Sequence, residues 1–200
     1  MRKFLSLPQE KQNRIVTAAM TLFGEVGYKK AYISEIAAAS GISKALVFHY
    51  FSSKKGLYSY LVYYTGKIVM TEAQEKRDAG DKDIFDRAIT TIGFRLSLKS
   101  RYPAMNTFIE SVYKEDDPEV AAEIKRLQAV AADMHAKVTL NPGEKSLFNS
   151  EVDPGCVVDI IDRYTEGVIN AWDANSSIDK TVDDVTKCLN MLRKCLFLSA

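Results

Sequence analysis

Residues 33–51 read ISEIAAASGISKALVFHYF, and the fold turns on this stretch. Ile36 and Ala37 give a first short helix a core-facing side, and Ala38 and Ala39 permit close helix approach. Eight residues are too few to hold a helix alone, so the segment needs tertiary support. Gly41 supplies a tight turn, Ile42 a buried plug and Ser43 an N-cap for a second helix with Lys44 to Tyr50 as its body. Helix, glycine turn and helix is the spacing of a helix-turn-helix, a unit that can set a recognition helix in a DNA major groove, and a glycine turn is shared by many other helical hairpins.

The flanks extend the pattern. Ser6-Leu7-Pro8-Gln9 predicts a helix start with Ser6 as cap. Ile15, Ala19, Leu22 and Val26 recur at helical spacing beside Ala18 and Phe23, Gly27 ends the helix, and residues 28–32 form a connector. Past Ser52 and Ser53, the next helix opens on Lys54 and Lys55 with no carboxylate in its first turn. Helix N-termini favour negative charge, so this arrangement suits a docked anion such as a phosphate.

Charge divides the chain in the same place. The net charge is +1, yet residues 1–60 hold nine Lys and Arg against three Glu, which is +6 and leaves −5 for the rest. A basic head on an acidic body suits a polyanion-binding protein, and equally a chance distribution with a solvated basic face. No apolar run approaches the ~18 residues that span a bilayer, and MRKFLSLPQEK lacks the apolar segment of a signal peptide. Cys156, Cys188 and Cys195 form no metal-ligating pattern with His49 or His135 and read as buried free thiols of a cytoplasmic protein. The acidic pairs Asp116/Asp117 and Asp183/Asp184 each precede an apolar periodic run and read as helix caps. No catalytic constellation, metal site or cofactor motif stands out, so the expectation is a non-enzyme without cofactor or metal.

The body reads as helices throughout. Ala79-Gly80-Asp81 interrupts the helix from Lys54, and Asp81 or Asp83 caps a helix carrying Ile84, Phe85, Ala88, Ile92 and Leu96. Tyr102-Pro103 opens another, Asp117-Pro118 opens one running to about Val138, and Asn141-Pro142-Gly143 breaks it. Asp153-Pro154 starts a helix to about Ala174 with a stripe of Val157, Ile161, Tyr164, Val168 and Trp172. The last helix starts near Thr181 and is apolar on more than one side, with Val185, Leu189, Leu192 and Leu196.

The segment I-x-x-A-A-x-x-L-F-x-x-x-G-Y followed by I-A-A-A-S-G-I-S-K-A-L-V-F-H-Y-F-S-S-K-K-G-L resembles the DNA-binding domain of the tetracycline-repressor (TetR/AcrR) family, from Ile15 to about Leu61. It departs from the family with Tyr32 for the usual Ser or Thr cap, Ala45 for a frequent Gly, and Phe48 for the usual Tyr. The resemblance implies an all-α fold: a three-helix helix-turn-helix domain over residues 1–56, and a helical effector-binding and dimerisation domain over residues 57–200. It implies DNA contacts from Tyr32, Ser34, Ser43, Lys44, Ala45, Leu46, Phe48, His49, Tyr50 and Lys54. It further implies an effector pocket, for which Ile68, Met105, Phe108, Ile109, Tyr113, Ile169 and Trp172 are the candidate lining. Ile161, Tyr164, Val168, Val185, Leu189, Leu192 and Leu196 are the candidates for a four-helix homodimer interface. The function so implied is a cytoplasmic transcriptional regulator that represses from a palindromic operator and is released by a small apolar effector. The alternative within the fold is a DNA-binding protein governed by a protein partner or acting architecturally.

Overall fold

The computed structural model describes residues 2–75, 83–135, 139–173 and 175–198. Among the described residues the fold is all-α and no strand forms. Ten α-helices follow in order: α1 Arg2–Leu5, α2 Gln9–Lys30, α3 Ile33–Ser40, α4 Lys44–Phe51, α5 Lys54–Glu75, α6 Ile84–Arg101, α7 Pro103–Lys114, α8 Ala121–His135, α9 Pro154–Ala171 and α10 Ile178–Leu196. Two compact units emerge, residues 1–72 with 102–131, and residues 73–101 with 132–200. This partition is by packing, and differs from the functional boundary expected at residues 56/57.

The first unit holds the basic head together with α7 and the start of α8. The head cannot close its core alone, because Phe23, Tyr28 and Tyr58 form an aromatic cluster that Phe108 of α7 completes. The Tyr58 ring lies 5.1 Å from Phe23, 5.0 Å from Tyr28 and 5.3 Å from Phe108. Gly24 lets α7 lie against α2, since a Cβ there would stand 2.9 Å from Thr107 Cγ2 and 3.0 Å from the Phe108 nitrogen. The Ser111 hydroxyl donates to the Phe23 carbonyl at 3.0 Å.

Gly27 departs from helical geometry (φ 77, ψ 171), but one more helical turn follows it where a connector is expected. The break leaves the Tyr28 N–H without a helical acceptor, and Glu115 at the end of α7 takes it at 2.6 Å. The start of α2 differs from the sequence reading as well. Ser6 does not cap α2; its hydroxyl donates to the Lys3 carbonyl and closes α1, a helix the hydrophobic pattern does not reveal.

The second unit is built on α6, α9 and α10. Ile84, Phe85, Ala88, Ile92 and Leu96 of α6 bury against Val157, Ile161, Ile169, Trp172, Val185 and Leu189. An isolated antiparallel bridge between Phe148 and Phe197 closes the cluster, with the two rings 4.9 Å apart. Asp83 caps α6 by accepting the Phe85 N–H at 2.9 Å. Arg87 grips Glu144 with two hydrogen bonds of 2.7 and 2.6 Å, pinning the 3-10 turn Glu144–Leu147 to α6. Burial alone pushes the Glu144 carboxyl up. The hydrogen bonds from Arg87 and the Asn141 N–H, with the arginine's charge, outweigh that and hold it below its ordinary value.

Three expectations change here. The cap of α10 is Ser177, whose oxygen accepts the Lys180 N–H; Asp183 and Asp184 lie inside the helix on its exposed side. Asp117 and Asp153 do cap, each accepting an N–H two residues on. α9 ends at Ala171, with Trp172 as C-cap. Cys156 and Cys195 are exposed and Cys188 half-buried, so the thiols are not core residues. The expected break at Ala79-Gly80-Asp81 and the helix end at Val138 lie outside the described residues.

Candidate nucleic-acid interface

α3 buries Ile33, Ile36, Ala37 and Ser40, and Gly41 ends it in the left-handed conformation (φ 65, ψ 35) that only glycine adopts freely. The Gly41 N–H then reaches the Ala38 carbonyl at 3.1 Å and the Ile42 N–H the Ala37 carbonyl at 3.0 Å, which satisfies the end of α3 and turns the chain. Ser43 caps α4 by accepting the Leu46 N–H at 3.2 Å.

α4 is two-faced. Val47, Tyr50 and Phe51 are buried, whereas Lys44, Ala45, Leu46, Phe48 and His49 are exposed. The outward face carries one full cation, Lys44, whose ammonium lies 6.0 Å from the Phe48 ring centroid one turn on. Tyr32 is 65% exposed and makes no cap bond at the start of α3, and Ser34 is exposed beside it. Of the ten sequence-identified DNA-facing residues, eight therefore lie on the surface of α3 and α4 or at their starts: Tyr32, Ser34, Ser43, Lys44, Ala45, Leu46, Phe48 and His49.

Tyr50 and Lys54 are placed differently. Tyr50 is buried, its ring 6.3 Å from Phe51 and 6.1 Å from Phe4. Lys54 is half-buried: its ammonium donates to the Lys29 carbonyl at 3.1 Å and lies 4.5 Å from the Tyr28 ring centroid. Ser53 meanwhile caps the start of α5 by accepting the Gly56 N–H at 2.9 Å. The carboxylate-free helix start is thus stabilised in part from within. Gly56 is obligatory there, because a Cβ would fall 2.0 Å from the Phe51 carbonyl oxygen. Ser52, between them, holds φ 67 and ψ −36, an unfavourable backbone for a residue with a Cβ.

Sequence reasoning missed the support behind α4. Phe4 is fully buried, with ring centroids 4.8 Å from Phe51 and 5.2 Å from Tyr60. Phe4 follows two cations and precedes Leu5, too short an apolar run to carry a periodic signal. Burial, with Tyr64 and Tyr63 nearby, pushes the Tyr60 phenol up to about 12, so this wall stays neutral at any working pH.

Residues 15–61 match the sequence model of the bacterial regulatory proteins of the tetR family. The chain carries a tetR-family domain. Solved structures show the fold across the whole chain. A TetR-family transcriptional regulator from Chloroflexus aurantiacus superposes with a TM-score of 0.73 at 15% identity, covering 100% of this chain and 99% of that one. The ketosteroid transcriptional regulator KstR2 of Mycobacterium tuberculosis gives 0.65 at 13% identity, covering 97% and 98%. The regulator FadR of Bacillus subtilis, solved with stearoyl-CoA, gives 0.61 at 14% identity, covering 88% and 96%. No curated protein matches. No helix among the described residues is long and apolar enough to cross a membrane, and no described cluster of three or more His, Cys, Asp or Glu could hold a metal ion.

The matched residues run from within α2 to within α5 and include α3 and α4 whole. The effector candidates fall into two groups. Ile68, Met105, Phe108, Ile109 and Tyr113 belong to the first unit, where Met105 and Phe108 are buried and Tyr113 is 47% exposed. Ile169 and Trp172 belong to the core cluster of the second. A surface groove of about 520 Å³ opens between α2 and α3, lined by Arg14, Thr17, Leu22 and Glu35 among others, and none of the seven lines it. The dimer candidates divide as well. Ile161, Val185 and Leu189 are covered by their own chain, while Tyr164, Val168, Leu192 and Leu196 are half-buried. The large apolar side chains that α9 and α10 turn outward are Ile160 and Met191, 53% and 58% exposed, and the dimer candidates include neither.

Proposed function

We propose that the chain is a dimeric transcriptional repressor, cytoplasmic in location, which binds a palindromic operator through two copies of α4 and is released by a small apolar effector. The observation that carries this reading is the outward face of α4, apolar with Lys44 at its start and free of carboxylates, on a helix-turn-helix of the tetR family. Ala45, Leu46 and Phe48 suit close approach and thymine methyl contact, and Lys44 suits a guanine edge. With so few hydrogen-bonding groups, discrimination rests on few direct contacts together with DNA shape. Lys54 acts mainly by fixing the α4–α5 corner against Lys29, and Tyr50 by backing α4.

Dimerisation through α9 and α10 is supported by Ile160 and Met191, and by Gly167. Gly167 is exposed in mid-helix with nothing within 4 Å of its would-be Cβ, so its own chain gives no reason for it. A mid-helix glycine costs ~1 kcal/mol relative to alanine, and close approach of a second helix offsets that cost. An effector site in the body is supported by Thr165 and Trp172, whose buried Oγ1 and Nε1 lack hydrogen-bond partners. Both are donors suited to an acceptor on an otherwise apolar ligand. FadR of Bacillus subtilis, a structural neighbour, was solved with stearoyl-CoA, and long-chain acyl compounds are the first class to try.

The test is selection of bound duplex from a random pool. The expected product is a palindrome with half-sites about one or more helical turns apart. Lys44→Ala should relax sequence preference while retaining non-specific affinity. An unstructured pool, or a binding constant insensitive to salt, refutes the reading.

A further inference from the structure

We propose that Arg2 and Lys3 form a second DNA contact, to the sugar–phosphate backbone flanking the groove that α4 enters, with Phe4 as the anchor that holds them there. This rests on the DNA-binding reading above and adds residues to it. α1 has four residues, far too few to form alone, so its position is set by what it buries. It buries Phe4, fully, against Tyr50 and Phe51 of α4 and Tyr60 of α5. The two residues before Phe4 are both cationic and both exposed, and no acidic residue precedes Glu10.

The segment is also fixed from its other end. The Ser6 hydroxyl closes α1 on the Lys3 carbonyl, and the Gln12 amide donates to the Leu7 and Leu5 carbonyls at 2.8 and 3.2 Å. The cations are therefore carried on an ordered platform against the last turn of α4, and little ordering entropy is lost on binding. That end of the reading surface needs them. From Ala45 to Ser53 the only ionisable side chains are His49 and the inward-turned Tyr50, and the next cation, Lys54, is directed at Lys29 and Tyr28. Lys44 serves one end of α4, and the Arg2-Lys3 pair serves the other. Contacts of this kind position the protein on the duplex and carry no sequence information.

The experiment measures DNA affinity of the full chain against salt concentration, on the selected operator and on a scrambled duplex of equal length. Each backbone contact contributes about 0.9 to the logarithmic salt slope, so R2A/K3A, which removes two contacts from each protomer of the proposed dimer, should lower the slope by about 3.6. At ~0.15 M salt that corresponds to a loss on the order of 1,000-fold, equal on both duplexes. R2K/K3R should keep the wild-type slope. Phe4→Leu, which retains an apolar plug but loses the ring contacts, should lose part of the same increment. Wild-type slope and affinity in R2A/K3A overturn the proposal while leaving the α4 reading intact. A loss confined to duplexes with A·T flanks overturns the backbone assignment in favour of minor-groove readout. If the wild type binds neither duplex, the DNA reading falls and this inference with it.

Discussion

Glu115→Ala removes the one side chain that answers the break in α2. Gly27 leaves the helix at φ 77 and ψ 171, and the next N–H, that of Tyr28, finds the Glu115 carboxylate 2.6 Å away. Tyr28 is 2% exposed, so water is poorly placed to replace the lost oxygen. Leaving a buried donor unanswered costs about 1–3 kcal/mol. The second Glu115 bond, accepting the Asp117 N–H at 3.2 Å, lies nearer solvent and adds little. The expected loss for Glu115→Ala is about 2 kcal/mol, a factor of about 30 in the folding equilibrium. Glu115→Gln keeps an acceptor oxygen and should lose less than ~1 kcal/mol. Urea unfolding followed by far-UV circular dichroism reads the difference as a shifted midpoint at unchanged slope.

The same geometry makes a second demand. Gly27 occupies a backbone region essentially reserved for glycine, where another residue costs ~1–3 kcal/mol. A Cβ there would also stand 3.2 Å from the Glu115 oxygen. Gly27→Ala and Glu115→Ala should therefore be less than additive when combined, because the first already displaces the group the second removes. A Glu115→Ala protein within ~0.5 kcal/mol of wild type, or a Glu115→Gln protein equally damaged, would show that the carboxylate does not hold the Tyr28 N–H, and the account of the break would be wrong.

Other perturbations follow from single contacts. Gly24→Ala drives a Cβ to 3.0 Å from the backbone of Phe108, and should destabilise by ~1–3 kcal/mol by prising α7 from α2; a change under ~0.5 kcal/mol in urea would contradict the packing. Ser52→Gly relieves φ 67 at an exposed site and should raise stability by about 0.5–1 kcal/mol, seen as a higher thermal midpoint; a lower midpoint counts against strain at this turn. The Glu144 carboxyl is held below its ordinary value when folded, so the stability it confers is present above the unfolded pKa and fades as pH falls through the folded one. Glu144→Gln should flatten the acid limb of the stability curve below about pH 4.5 while lowering stability at neutral pH; an unchanged acid limb would assign that limb to other groups. For the proposed α9–α10 dimer, Ile160→Glu and Met191→Glu should shift the chain to monomer in light scattering without unfolding it, and a retained dimer would move the interface elsewhere.

How much of this was legible in the sequence depended on whether a residue's partners lie near it in the chain. The α3–Gly41–α4 turn is a local construction of caps and a left-handed glycine, and residue types mark it. The same holds for Asp117-Pro118 and Asp153-Pro154, whose capping bonds span two residues. Ser177 was passed over for Asp183 and Asp184 because three consecutive Ser, Ile and Asp residues at 177–179 break no apolar stripe, whereas the true cap is set by where the backbone leaves the helix. The apolar stripe of α10 correctly marked a buried face, but a stripe says only that a face is covered. Coverage by α6 and α9 claims Val185 and Leu189, and what remains exposed is Met191, at the stripe's widened edge.

The reading of Lys54 and Phe4 turns on contacts that no local pattern encodes. Two lysines opening a helix looked like a demand for phosphate because the nearest residues offer no other partner. The fold supplies Lys54 with one from residues 28 and 29, and Ser53 caps the Gly56 N–H, so a charge that is unpaired along the chain is paired in space. Phe4 shows the reverse: no apolar repeat marks it in the sequence, yet the ring is sealed against α4. Moving one cation inward and fixing two others at the far end of α4 changes where electrostatic grip must lie. The same +6 of head charge can steer the protein to DNA in either arrangement, since long-range attraction follows the sum. Register on the duplex follows the placement of individual cations, and it is there that Lys44, Arg2 and Lys3 become separable by salt slope and by sequence preference.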